Sequence, residues 1–183
     1  MFSIVIDKHL SIIFLHPRFR SDFHTLLKCN KRQFSKWFSW PSNSNSLSYF
    51  DSLIKDGLYD YSRGIAVHCG IKYDQQIIGY IGLSNINDEL AKAELRFLMA
   101  PEYEGRGIMQ NVCIKILEYA FIFLNLEMLE ISIPTEDIAS RKLSETLGFE
   151  LEGILKCADI INGNMIDHAR YGLLKEIYLA SLR

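Results

Sequence analysis

The chain has 183 residues, 49% hydrophobic and 12% aromatic, which suits a single domain with a sizeable core. Its formal net charge of -2 provides no broad basic field, so nucleic acid is not an expected partner. No apolar run reaches membrane-spanning length, and the opening residues are interrupted by Asp7, Lys8 and His9 without a small-residue cleavage site, so a soluble cytoplasmic protein is expected.

In chain order, residues 11–15 read as a first strand, and Pro17 suits the start of a helix running to about Cys29. Phe34, Trp37, Phe38 and Trp40 precede Pro41, and the polar stretch 42–46 then leads into a second helix marked by Leu47, Phe50, Leu53, Ile54 and Leu58. Residues 64–73 and 77–83 read as strands joined in a hairpin through Tyr73-Asp74-Gln75-Gln76, and 85–89 as a polar turn. With the strand at 94–100 these form an antiparallel meander. The four cysteines, Cys29, Cys69, Cys113 and Cys157, form no CxxC pair, and the five histidines are dispersed, so neither a disulfide framework nor a metal site is expected.

Pro101 ends the strand at 94–100, and Gly105-Arg106-Gly107 follows. From there apolar residues recur at Ile108/Met109, Val112/Cys113, Ile116/Leu117, Ala120/Phe121 and Leu124, the period of a helix. The glycines therefore sit where strand hands over to helix. A helix start exposes unpaired N–H groups and a partial positive charge, and glycines let a phosphate approach the backbone. A ligand-free strand-to-helix turn would use the same three residues. No lysine followed by Ser or Thr enters the helix, so the phosphate and magnesium ligands of NTP hydrolysis are missing. Beyond this helix, 128–133 reads as a strand parallel to 94–100, because a crossover of this length requires it. Thr135 or Asp137 caps a helix ending before Gly148, and 149–160 and 165–174 form a last hairpin around Asn162-Gly163.

The stretch Pro101-Glu102-Tyr103-Glu104-Gly105-Arg106-Gly107-Ile108-Met109 resembles the acyl-CoA pyrophosphate loop of the GNAT acetyltransferase superfamily, Q/R-x-x-G-x-G/A, with Glu102 in the first place. That glutamate, the segments 135–141 and 147–153, and Asn162-Gly163 through Asp167-His168 and Tyr171 resemble the branch that acetylates ribosomal-protein N-termini on serine or alanine, the RimJ/RimL type. The likeness is dense from Lys92 to Leu174 and thinner from Phe2 to Lys72. It implies an α/β (α+β) fold with a mixed, mostly antiparallel sheet flanked by helices, whose two parallel central strands splay apart. One domain, 1–183, is expected.

The resemblance also implies a chemistry. Acetyl-CoA is the expected co-substrate, with no metal. Its pyrophosphate is expected on the N–H groups of Tyr103, Glu104, Gly105, Arg106, Gly107 and Ile108, and its pantetheine alongside Phe97, Leu98 and Met99, whose N–H groups face the thioester oxygen. Asp137 and Ser140 belong to the second cofactor segment. Glu94 is the candidate general base, since an amine must lose a proton before attack. Many superfamily members carry a tyrosine four residues before the Gly-Phe pair; here that place is Ser144, and the ribosomal branch points to Ser140 as the group that assists the leaving thiol. Trp37 and Trp40 are expected over the acceptor, where packing onto the sheet is an equal reading of both. Asp167 and His168 are rival acid-base residues that point to opposite faces of their strand. Asp137 replaces a usual asparagine, and Arg96-Phe97-Leu98 a usual Gly-Tyr-Trp.

The sequence reading is therefore an N-acetyltransferase acting on a primary amine, foremost the N-terminal α-amine of a protein or peptide. A small-amine acetyltransferase for polyamines or aminoglycosides is the first alternative; convergence of Asp51, Asp56, Asp60 or Asp88 on the cleft would favour it. A non-catalytic acyl-CoA-binding protein is the alternative from another class. The family and the aromatic content also allow a homodimer.

Overall fold

A computed structural model describes residues 3–39 and 46–182. The strands are β1 (Ser3–Val5), β2 (Leu10–Phe14), β3 (Val67–Tyr73), β4 (Gln76–Asn87), β5 (Lys92–Met99), β6 (Met128–Pro134), β7 (Glu150–Ile161) and β8 (Asn164–Leu174). They form one sheet in the order β1-β2-β3-β4-β5-β6-β8-β7. Neighbours are antiparallel except β5 and β6, which run parallel across the expected crossover. The helices are α1 (Arg20–Phe34), α2 (Leu47–Ser62), α3 (Ile108–Glu118), α4 (Ile138–Thr146) and α5 (Lys175–Ser181).

Alternation along the strands divides the core between the two faces of the sheet. Ile12, Ile78 and Leu95 face a cluster built with Val112, Cys113, Ile116 and Leu117 of α3 and Tyr178 of α5. Ile13 and Ile77 face the other, with Phe23 and Leu26 of α1 and Phe50 and Ile54 of α2. Burial pushes the thiols of Cys69 and Cys113 up, the former to about 12, as expected of inert core fillers. No helix among the described residues is long and apolar enough to cross a membrane.

Several boundaries differ from the sequence expectation. The helix expected to begin at Pro17 opens with a 3-10 turn, Pro17–Phe19, and α1 then continues past Cys29 to Phe34, which is buried. The polar residues after Leu83 remain in β4, which bulges against β5 between Ser84 and Asn87 while the Ile86 N–H bonds to the Ile65 carbonyl on its other side, and the turn moves to 88–91. The run expected to be helical to Leu124 widens into a π turn, Tyr119–Phe123, closed by Leu124 N–H to the Tyr119 carbonyl. The short β1 and α5 carry too few residues to show a period.

Candidate active site

The sheet opens at its centre. β5 and β6 are paired at Lys92, Ala93 and Glu94, and then part, while β5 stays on β4 as far as Met99 and β6 stays on β8 as far as Pro134. The Ala100 N–H bonds to the Ile78 carbonyl, which fixes the phase of the β4–β5 ladder. By alternation, the backbone groups of Phe97 and Met99 point away from β4 into the opening.

Two cavities meet in this opening. One, of about 500 Å3, lies between α1, β5, the loop before α3, and α4; it is lined by Lys36, Phe97, Leu98, Met99, Glu104, Gly105, Gly107, Ile108, Asp137 and Ser140, among others. The second, of about 410 Å3, is lined by Glu94, Arg96, Phe97, Ser132, Asp137, Ser140, Asp159 and His168, among others. Trp37, Phe38, Phe97, Asp137 and Ser140 belong to both.

The first cavity ends at the start of α3. Gly105 and Gly107 hold φ of +71° and +72°, the left-handed region, and a Cβ at either would meet nothing. These glycines are therefore required by backbone conformation and not by crowding. The N–H groups of Tyr103 and Glu104 are engaged with the carbonyls of Ala100 and Pro101, so they are withdrawn from the expected anion cradle. Those of Gly107, Ile108, Met109 and Gln110 have no partner among the described residues, and they form the open first turn of α3. The Tyr103 hydroxyl donates to Gln76 Oε1, and the Arg106 guanidinium lies over the Tyr103 ring, so neither side chain lines the cavity. Burial, with Asp137 nearby, raises the Glu104 pKa, opposed by Lys36. An open helix start, left-handed glycines and free strand-edge amides fit a pyrophosphate and a pantetheine arm.

Asp137 caps α4 by accepting from the Ser140 N–H at 3.1 Å, and this turn presents Ser140 to both cavities. The Ser140 hydroxyl has no partner among the described residues. Ser144, one turn later, is fully buried and donates to the Ser140 carbonyl at 2.9 Å, so it serves the helix and faces neither cavity. Arg141 anchors α4 through the Tyr171 hydroxyl and the Thr135 carbonyl, while Tyr171 donates to Glu145.

In the second cavity, Glu94 is 17% exposed, and its Oε2 accepts from Asn85 Nδ2 and Arg96, both at 3.0 Å. The expected oddity of a charged Arg96 on this strand thus has a partner two residues away. His168 Nδ1 lies 2.9 Å from Ser132 Oγ, and its Nε2 is buried without a partner among the described residues. Burial lowers the His168 pKa and favours the neutral ring. Asp167 points to the other face, where Lys156 and the Cys157 N–H hold its carboxylate and lower its pKa; it lines neither cavity. Trp40 lies outside the described residues. Phe38, Lys36, Ser132 and Asp159 line the site without having been singled out; for Ser132 the signal available was its alternation with Glu130 along β6.

Residues 13–150 match the family described as "Acetyltransferase (GNAT) domain". The chain is 31% identical over 176 residues, 96% of each protein, to the Bacillus subtilis (strain 168) protein named "Putative ribosomal N-acetyltransferase YdaF". It is also 30% identical over 154 residues, 84% of this chain and 86% of that one, to the spermidine N(1)-acetyltransferase of Vibrio cholerae. The solved structure of the microcin C7 self-immunity acetyltransferase MccE, in complex with acetyl-CoA and AMP, shares the fold with a TM-score of 0.86 at 24% identity, over 92% of this chain and 94% of that one. The family match spans most of the chain and includes the splayed strands, the glycine loop before α3 and the start of α4: the protein belongs to the GNAT acetyltransferase family and is an N-acetyltransferase.

Proposed function

We propose that residues 1–183 form a single cytoplasmic domain that transfers the acetyl group of acetyl-CoA to the N-terminal α-amine of a protein or peptide. The observation that carries this reading is the meeting of two cavities at Phe97, Asp137 and Ser140. One ends in helix N–H groups without partners among the described residues, suited to a pyrophosphate; the other is a chamber of about 410 Å3 holding Glu94 and His168. The relative named for ribosomal N-acetylation, alike over 96% of this chain, supports an α-amine acceptor.

Acetyl-CoA supplies an activated thioester. On this reading the Gly107 to Gln110 amides hold its phosphates, and the backbone of Phe97 and Met99 holds the arm and offers N–H donors toward the carbonyl oxygen, each worth about 3 kcal/mol to the transition state. Glu94 takes the proton of the incoming amine, directly or through a water; only its Oε2 is committed to Arg96 and Asn85, and Oε1 has no partner among the described residues. His168 is the less accessible rival, its Nε2 being sealed from solvent. As nitrogen bonds to the acetyl carbon and the carbon–sulfur bond breaks, the Ser140 hydroxyl donates to the departing sulfur.

The small-amine alternative calls for uncompensated carboxylates around the acceptor. Asp51 is paired with Arg20, and Asp51, Asp56, Asp60 and Asp88 line neither cavity. Glu94 carries its own arginine. What remains for a polyamine is Asp159 and the capping Asp137.

The test is thiol release from acetyl-CoA with peptides beginning in serine or alanine, the same peptides blocked at the N-terminus, and spermidine. Release that requires the free N-terminus is expected. Release with spermidine alone would overturn the acceptor assignment, and acetyl-CoA binding without release on any amine would favour a binding protein.

A further inference from the structure

Residues 35–39, which follow α1, form a wall common to both cavities. Trp37 and Phe38 line the two together, whereas Lys36 lines the cofactor side alone. Its near end is an unwinding continuation of α1: Lys36 N–H reaches the Gln33 carbonyl, and Trp37 and Phe38 N–H both reach that of Phe34. It is held from a distant part of the chain at both ends, at Ser35 beside α1 and at Ser39. Asn162 Nδ2 donates to the Ser35 carbonyl at 2.8 Å, and the Ser39 hydroxyl donates to the Ile160 carbonyl.

Both ties come from the tip of the β7–β8 hairpin, where Asn162 and Gly163 take φ of +52° and +81°. A two-residue turn with both residues left-handed is stiff and fits the twist of the strands it joins. Asn162 therefore does two things: its backbone makes the turn, and its amide reaches the Ser35 carbonyl at the end of α1. Both ties are exposed to solvent, so each adds a modest increment that water can replace.

We propose that Asn162 is a positioning residue for acceptor binding: it latches the wall carrying Trp37 and Phe38 against the hairpin tip and so sets the width of the acceptor chamber. Lys36, Trp37 and Phe38 also border the cofactor cavity, but neither tie reaches the first turn of α3 or the Phe97 to Met99 edge, where the phosphates and the arm are held on the proposed reading, so the loss falls chiefly on the acceptor. The inference rests on the assignment of the second cavity to the acceptor, whichever amine fills it.

The experiment compares Asn162→Asp and Asn162→Gly with the parent protein. Both replacements keep the left-handed turn, and neither can donate to the Ser35 carbonyl. Acetyl-CoA affinity is measured by calorimetry, and KM for the amine is measured with whichever acceptor the parent acetylates, so failure of the peptide reading is seen separately in the parent. In a Trp40→Phe background, acrylamide quenching reports Trp37 directly. The expected result is an acceptor KM raised about fivefold, acetyl-CoA affinity unchanged within about twofold, and Trp37 more readily quenched. An unchanged acceptor KM, or equal losses for cofactor and acceptor, would overturn the proposal.

Discussion

Glu94 and Glu130 are the last pair of residues at which β5 and β6 remain in register. Beyond them the strands separate and the active site begins. Glu130 turns to the side where Lys92 Nζ at 2.9 Å and Arg170 at 2.6 Å share its Oε1. Glu94 lines the second cavity with Arg96 and Asn85 on its Oε2. The hinge of the opening is thus clamped by one carboxylate, and its mouth is equipped with the other.

Removing the clamp should cost stability. Burial alone would raise the Glu130 pKa, but the hydrogen bonds from Lys92 and Arg170 outweigh it and the net shift is downward, so the carboxylate is held charged. Its cationic partners are about one-third exposed, which limits the loss on Glu130→Ala to about 1–3 kcal/mol. For a chain of this size that is a fall in Tm of about 2–10 °C by calorimetry. A variant as stable as the parent would show that backbone pairing alone fixes the hinge.

At the anion loop the prediction concerns backbone conformation. Gly107 holds a φ of +72° with open space where a Cβ would stand. Gly107→Ala should therefore pay only the left-handed penalty, about 1–2 kcal/mol, seen as a roughly tenfold weaker affinity for acetyl-CoA. Gly107→Asn should fall between the two, since asparagine tolerates this conformation better than alanine. Equal binding by all three would mean that the loop does not need the left-handed geometry to receive its ligand.

The strand-glycine-helix passage was legible in the sequence because three signals coincide there: an apolar strand, Pro101 as a stop, and a long helical period from Ile108. The last hairpin was legible from Asn162-Gly163 for the same local reason. The splay itself was available only through the family likeness, since no local pattern says where two parallel strands stop pairing. Asn85 and Asn87 read as a turn because both are polar and exposed, although Ile86 between them packs against the core and the strand continues through a bulge. Ser144 and Ser140 are the same residue type one helical turn apart, and only the packing of α4 separates the sealed one from the one that faces the cavities. Long-range ties such as Asn162 to Ser35, 127 residues apart, leave no trace in composition or period.

Acid should weaken the fold through two histidines. His68, whose Nδ1 meets the Tyr80 hydroxyl at 2.6 Å, and His168 both have pKa values lowered by burial from an ordinary 6.5. The unfolded chain then binds more protons as pH falls, so their contribution is complete above about pH 6.5 and is lost as pH drops through the folded-state values. Melts at pH 7.5, 6.5 and 5.5 should show Tm falling mainly over the last step. Replacing either histidine by glutamine should flatten that step; an unaltered slope in both variants would assign the acid sensitivity elsewhere.

Ser140 and Glu94 should separate in their kinetic signatures. On the proposed mechanism Ser140→Ala removes a hydroxyl that assists only the departing sulfur, so kcat should fall about a hundredfold while acetyl-CoA affinity holds. Glu94→Gln leaves the cavity's shape and the amide's reach to Arg96, but takes away the proton acceptor. Its rate should fall by a similar factor near neutral pH and then recover as pH rises toward the amine's own pKa, because the acceptor deprotonates in solution before it binds. The parent should level off at lower pH, where Glu94 performs that step. A pH profile for Glu94→Gln parallel to that of the parent would remove Glu94 from the proton path, and a matching test of His168→Gln would then decide whether the ring beside Ser132 carries the proton instead.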